Sequence, residues 1–228
     1  MPYRRLPNTD QARIRTLQQT IEKGERGDEE LPVAFHTLSI AKNFLEKFDP
    51  AHFYYTQCYS NQVKNGFKHR KNVKNARLYI SHFIQVLNLA VIRSEVTESQ
   101  KKLYGLPAKN VVPDLTSEND IIELGKQIIR GEQNRIMQGG APIFTPSIAK
   151  VKVAYDVFLD SYAKQKNLQR LTLESLENLS SMRKEADEII LDIWNQVEAK
   201  YQNITPLEAR LNKCREYGII YYNRKNNK

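Results

Sequence analysis

An all-α fold is predicted by three observations. The chain of 228 residues holds only 9 Gly and 9 Pro, so long elements run without interruption. From Val151 to Gln202, "VKVAYDVFLDSYAKQKNLQRLTLESLENLSSMRKEADEIILDIWNQVEAKYQ", there is neither. Apolar residues recur three and four apart, and no stretch alternates over enough residues to argue for a sheet.

The elements follow in order. Thr9 or Asp10 caps a first helix reaching Gly24, with Ile14, Leu17 and Ile21 on one face. Long helices are expected after Pro32 and after Pro146, each proline taking a first-turn position. In the later one, Ile148, Val151, Tyr155, Phe158 and Tyr162 form a bundle seam. Pro50 is expected to kink or break the earlier one, because a helix-interior proline removes a hydrogen bond and clashes with the carbonyl four residues back. A turn is expected at Asn65-Gly66, followed by a helix over about 73–94. Its counterpart lies at about 182–202, and a helix starting near Ser117 or Asn119 carries Ile121, Leu124 and Ile128. Short last helices end at Tyr104-Gly105 and Tyr217-Gly218, where glycine supplies a left-handed cap. "YGIIYYN" is a lone candidate strand with nothing to pair with, and the terminal "NRKNNK" reads as a frayed tail.

The chain also repeats itself. "IRTLQQTIEKGE" (14–25) returns as "IIELGKQIIRGE" (121–132), with Ile, Leu, Ile, Gly and Glu in the same slots. "NFLEKF" (43–48) matches "VFLDSY" (157–162), "KNARLYISHFIQVLN" (74–88) matches "KEADEIILDIWNQVE" (184–198), and "KLYGL" (102–106) matches "REYGI" (215–219). Four matches in one order predict a tandem duplication of a three-to-four-helix unit, residues 1–112 and 113–228, forming paired antiparallel helical bundles. The longer loop expected after Glu132, "QNRIMQGGAPIFT", accounts for the change in offset between the first match and the second.

The opening "MPYRRLPNTDQARIRTL", the segments "KNARLYISHFIQVLN" and "MRKEADEIILDIWNQVE", and the closing "CREYGIIYY" resemble a family of two-repeat helical proteins from Bacteroidetes bacteria. The resemblance spans essentially the whole chain. It implies a duplicated all-α bundle and brings no activity, cofactor or catalytic residue with it.

Composition narrows the class further. Hydrophobic residues make up 40% and charged residues 27%, a globular balance. Cys58 and Cys214 lack any CxxC or neighbouring ligand and are expected to be buried, reduced thiols of a cytoplasmic protein. The N-terminal "MPYRRLPNTD" has no apolar core of a signal peptide, and clusters such as "FIQVLNLAVI" fall well short of a membrane span, so no membrane partner is expected.

Chemistry-bearing motifs are absent. His36, His52, His69 and His82 give no i, i+4 pair. The nearest metal-like pattern, Asp49-Pro-Ala-His52 with Glu46, occurs once and contains a proline, so a surface turn with a solvated histidine is expected. Glu185, Asp187, Glu188 and Asp192 read as a solvated helix face. No nucleophile elbow or phosphate-binding loop is present, so neither enzyme nor cofactor is expected.

Charge stands out. The net charge is +9 and the pI about 9.4. Residues 1–112 hold 18 Lys+Arg against 10 Asp+Glu; residues 113–228 hold 17 against 16. No acid lies between Asp49 and Glu95, and "KNGFKHRKNVKNAR" concentrates Lys64, Lys68, Arg70, Lys71, Lys74 and Arg77. Tyr54, Tyr55, Tyr59 and Phe67 lie close by, suited either to a core or to base stacking. Two functions are expected: a non-enzymatic helical interaction or scaffold protein with a protein partner or a second copy of itself, or a nucleic-acid- or polyanion-associated protein using segment 64–77.

Overall fold

Helical periodicity becomes seven α-helices in the computed structural model, which describes residues 2–26 and 31–222. The terminal "NRKNNK" lies outside the described residues. Helix α1 spans Asp10–Glu25, and Thr9 Oγ1 accepts from Ala12 N at 3.2 Å to cap it. Helix α2 spans Phe35–Ile92 and α3 Glu98–Lys101, which tightens into a 3-10 turn over Lys102–Tyr104. Helix α4 spans Glu118–Met137, α5 Ile148–Ser181, α6 Arg183–Lys200 and α7 Leu207–Arg215. Helix α4 starts with a capping box, in which Ser117 and Asp120 each satisfy the other's backbone N–H.

The all-α expectation holds, with corrections. Helix α2 passes through Pro50 and through Asn65-Gly66 without ending, so the expected break, turn and separate helix at 73–94 are one element of 58 residues. Pro50 frees only the Glu46 carbonyl, and both residues lie on the exposed side of the helix, while Phe44 and Phe48 anchor the turns beside it. His52 accordingly sits on a helix rather than in a turn. Helix α4 continues past Glu132 to Met137, because Glu132 and Arg135 are buried partners one turn apart on its inner face. Pro32 and Pro146 precede α2 and α5 instead of entering their first turns. The C-terminal strand does find a partner: Tyr221–Tyr222 pairs antiparallel with Tyr3–Arg4, Tyr3 opposite Tyr222. Gly105 (φ 64°) is the expected left-handed cap, whereas α7 ends at Arg215 with Glu216 as its cap, and Gly218 (φ 77°) turns the chain just beyond it. Among the described residues no helix is long and apolar enough to cross a membrane.

The chain divides into two compact units, and the divisions fall inside helices. Unit 1 joins residues 1–59 to 171–228; unit 2 is residues 60–170. Each unit draws on both halves of the chain. Unit 1 packs α1 and the start of α2 with α6 and α7, around Leu17, Phe44, Phe48, Ile190, Trp194 and Tyr217. Cys58 and Cys214 are free and buried within it. Unit 2 packs α4 and the start of α5 with the end of α2 and the Lys102–Tyr104 turn, around Ile80, Phe83, Tyr104, Ile121, Ile128 and Phe158. Ala76, Ile80, Phe83, Ile84 and Leu87 of unit 2 are fully buried, and so are Ala186, Ile190, Ile193, Trp194 and Val197 of unit 1, each 110 positions later. Burying each of the larger side chains among them contributes about 1.5–3 kcal/mol.

Helix α4 meets the Lys102–Tyr104 turn at a glycine. A Cβ on Gly131 would lie 2.7 Å from the Tyr104 Cα, inside van der Waals contact with backbone. Gly66 has only the Gln165 amide at 3.7 Å. The two glycines therefore predict opposite signs in urea denaturation. Gly131→Ala should cost about 1–3 kcal/mol by overpacking. Gly66→Ala should gain about 0.5–1 kcal/mol through helix propensity.

Candidate functional site

The basic segment lies within unit 2 on a helix, and this sets its geometry. At 3.6 residues per turn, Lys64, Lys68, Lys71 and Lys74 fall within about 120° of arc and about 15 Å of helix length. All four are exposed, as is Arg70. Arg70 lies over the ring of Phe67 at 4.6 Å, and that ring is itself 65% exposed, so the arginine covers apolar surface while keeping its charge in water. None of these five cations forms an ion pair with a described carboxylate. The acid-free run of sequence from Asp49 to Glu95 explains why: no carboxylate on the same helix is one turn away.

Arg77, the sixth candidate, is placed elsewhere. Its Nη2 donates to the Thr116 carbonyl at 2.9 Å, and its Nε is buried with no partner. It fastens the segment before α4 and takes no part in the exposed face. Of the neighbouring aromatics, Tyr54, Tyr59 and Phe67 are exposed and Tyr55 is half-buried; of these only Phe67 belongs to unit 2.

Beneath this face, α2 is held by side chains that composition alone did not flag. His69 is buried, with Nδ1 2.9 Å from Ser161 Oγ and Nε2 2.9 Å from Glu118 Oε1, and it stacks on Phe158. Asn65 donates to Gln165 at 2.8 Å one turn earlier. Serine, histidine and glutamate in a row suggest acyl transfer, but the chemistry does not fit. The Ser161 hydroxyl donates to the Phe158 carbonyl of its own helix, and mid-helix N–H groups are committed to the ladder, leaving no oxyanion cradle. The trio ties α2, α4 and α5 together. Its sequence signal was the spacing His69, Ala76, Ile80, which puts the histidine on the inner face.

A second buried group anchors unit 2. Glu132 is fully buried and accepts from Tyr104 Oη, from Arg135 Nε and Nη2 (both 3.0 Å), and from Ile143 N (3.0 Å). Glu25, which closes the matching sequence segment, pairs with Lys42 at the surface, so identical letters give opposite environments. On α6, Glu185, Glu188 and Asp192 are exposed as expected, and only Asp187 is half-buried. Asp187 takes a bidentate pair from Arg13 at 2.8 and 3.0 Å, Arg13 and Arg183 both reach Asp10, and Asp192 accepts from Thr37. Among the described residues no cluster of His, Cys, Asp and Glu could hold a metal ion.

Charge follows the units more sharply than it follows the halves of the chain. Unit 2 holds 18 Lys+Arg against 9 Asp+Glu; unit 1 holds 17 of each. The entire net charge of +9 thus resides in unit 2.

Comparison with family models, curated proteins and solved structures finds no match.

The buried tyrosines set an alkaline limit. Burial, then Glu132, raises Tyr104 above the usual tyrosine range; burial, then Glu198, does the same for Tyr221. Burial, then Tyr217, pushes Tyr201 up to about 12. Above about pH 10 the unfolded chain releases phenolic protons that the folded chain keeps. The urea midpoint should therefore fall as the pH rises above about 10; a midpoint that stayed level well beyond it would contradict the assignment.

Proposed function

We propose that this is a non-enzymatic helical interaction protein that binds a polyanion, best matched by a nucleic-acid phosphate backbone, on unit 2. The observation that carries the reading is the segregation of charge: unit 2 carries all nine net positive charges, and five unpaired cations share one face of α2. Lysines a helical turn apart, free of competing carboxylates, release counterions from phosphate without first breaking ion pairs. Phe67 adds an apolar surface on which a base of a single strand can stack.

The same proposal includes the tandem duplication and the paired bundles, in keeping with the resemblance to two-repeat helical proteins of Bacteroidetes. Its support is the set of collinear echoes, the seams 110 positions apart and the two left-handed tyrosine-glycine turns. In this reading each unit combines the first two helices of one copy with the last two of the other, and only unit 2 has become basic.

Fluorescence anisotropy with mixed-sequence DNA and RNA checks the binding. Replacing Lys68, Arg70, Lys71 and Lys74 by Glu should abolish binding, whereas reversing Lys184 and Lys213 of unit 1 should leave it intact. With five phosphate contacts, log K should fall with log salt at a slope of about −3.5 to −4.5, from single strand to duplex. Phe67→Ala should weaken single-strand binding alone, by about 1–3 kcal/mol. Absence of binding at low salt would remove the proposal.

A second reading, docking of a protein partner or a second copy, is favoured by one observation. Phe67, Leu78 and Leu89 are exposed and spaced by eleven residues, three turns, so they form one apolar line along α2. Light scattering after size exclusion should then show an oligomer that Leu78→Lys and Leu89→Lys return to monomer.

A further inference from the structure

Unit 2 contains a cavity of about 580 Å³ between the end of α2, α3 and the loop that follows α4. One side is apolar, formed by Val86, Ala90, Val96 and Ile143. The other side presents hydrogen-bond donors without acceptors. Arg135 spends Nε and Nη2 on Tyr104, Glu132 and the Ala141 carbonyl, but Nη1 has no partner among the described residues. Arg135 is only 2% exposed and still borders the cavity. A Cβ on Gly140 would lie 2.7 Å from Nη1, so glycine there keeps the space beside the guanidinium open. Gln100 uses its Oε1 to accept from Thr97 N, which leaves its Nε2 hydrogens to spare.

The rim has its own constraint. Ser94 holds a left-handed backbone (φ 61°), a conformation disfavoured for a non-glycine residue, and it lies between Arg93 and Glu95, both bordering the cavity. Arg93 and Glu95 pair at 2.9 Å. The formal charges are therefore matched, Arg93 with Glu95 and Arg135 with Glu132, and a dianion would meet two carboxylates. A single acceptor group with an apolar body is what remains compatible.

We propose that this cavity binds a small monocarboxylate with a short apolar tail. Its carboxylate accepts from Arg135 Nη1 and Gln100 Nε2, and its tail lies along Val86, Ala90, Val96 and Ile143. The site is separate from the basic face of α2 and does not depend on polyanion binding.

Calorimetric titration of the full chain with butanoate, hexanoate and benzoate, and with the amides of the same acids, tests this at constant ionic strength. Saturable one-to-one binding of the carboxylates, at least tenfold tighter than the matched amides, is expected. Gln100→Glu keeps the acceptor that caps α3 and places a negative charge at the head group; it should weaken carboxylate binding at least tenfold. Val86→Trp fills the apolar side and should abolish binding of both series. Where Val86→Trp does not fold by circular dichroism, Gln100→Glu decides. Equal binding of acids and amides, no saturable binding, or wild-type affinity in Gln100→Glu would overturn the proposal.

Discussion

Neither half of this chain closes a core on its own. The inner face of α1 is covered by α6, and that of α4 by the Lys102–Tyr104 turn, so each half shields the apolar line of the other. Water exclusion at those two seams is the constraint from which the rest follows. It keeps α2 helical through Pro50 and through Asn65-Gly66, because the residues either side are already committed to buried positions. It also puts polar groups such as Glu132, Arg135 and His69 out of water, where each must find partners.

The basic face is a by-product of the same geometry. Once the inner side of α2 is fixed by Ala76, Ile80 and Phe83, the outer side is fixed too, and every lysine from 64 to 74 falls on it. The sequence segment was already conspicuous, but a cluster around a turn and a row along a rigid helix are different surfaces. A row holds its charges at fixed spacing and spends little conformational entropy when a long polyanion is laid along it.

Much of the architecture was legible in the sequence. The three-four spacing located the seams, and Thr9, Ser117 and Gly105 marked helix ends through capping chemistry that depends on single residues. What misled were residues whose local preference was overruled. Pro50, Gly66 and the residues after Glu132 all argue locally against a helix, and long-range packing outweighed them. Asp187 and the pair Tyr3–Arg4 with Tyr221–Tyr222 were misread because their partners are far away along the chain. The cavity beside Arg135 was invisible for the same reason: its lining comes from α2, α3, α4 and the loop after α4, and no motif spans them.

The placement of the unit boundaries inside α2 and α5 bears on how the protein is made. During synthesis from the N-terminus, residues 60–170 emerge as a continuous block and have every strand of their packing available once residue 170 has left the ribosome. Residues 1–59 emerge before that block yet must wait for α6 and α7, which follow it in the chain. Residues 1–59 are therefore translated before unit 2 yet acquire their core after it, and Phe44, Phe48 and Leu17 remain uncovered, in need of protection, until α6 and α7 have emerged.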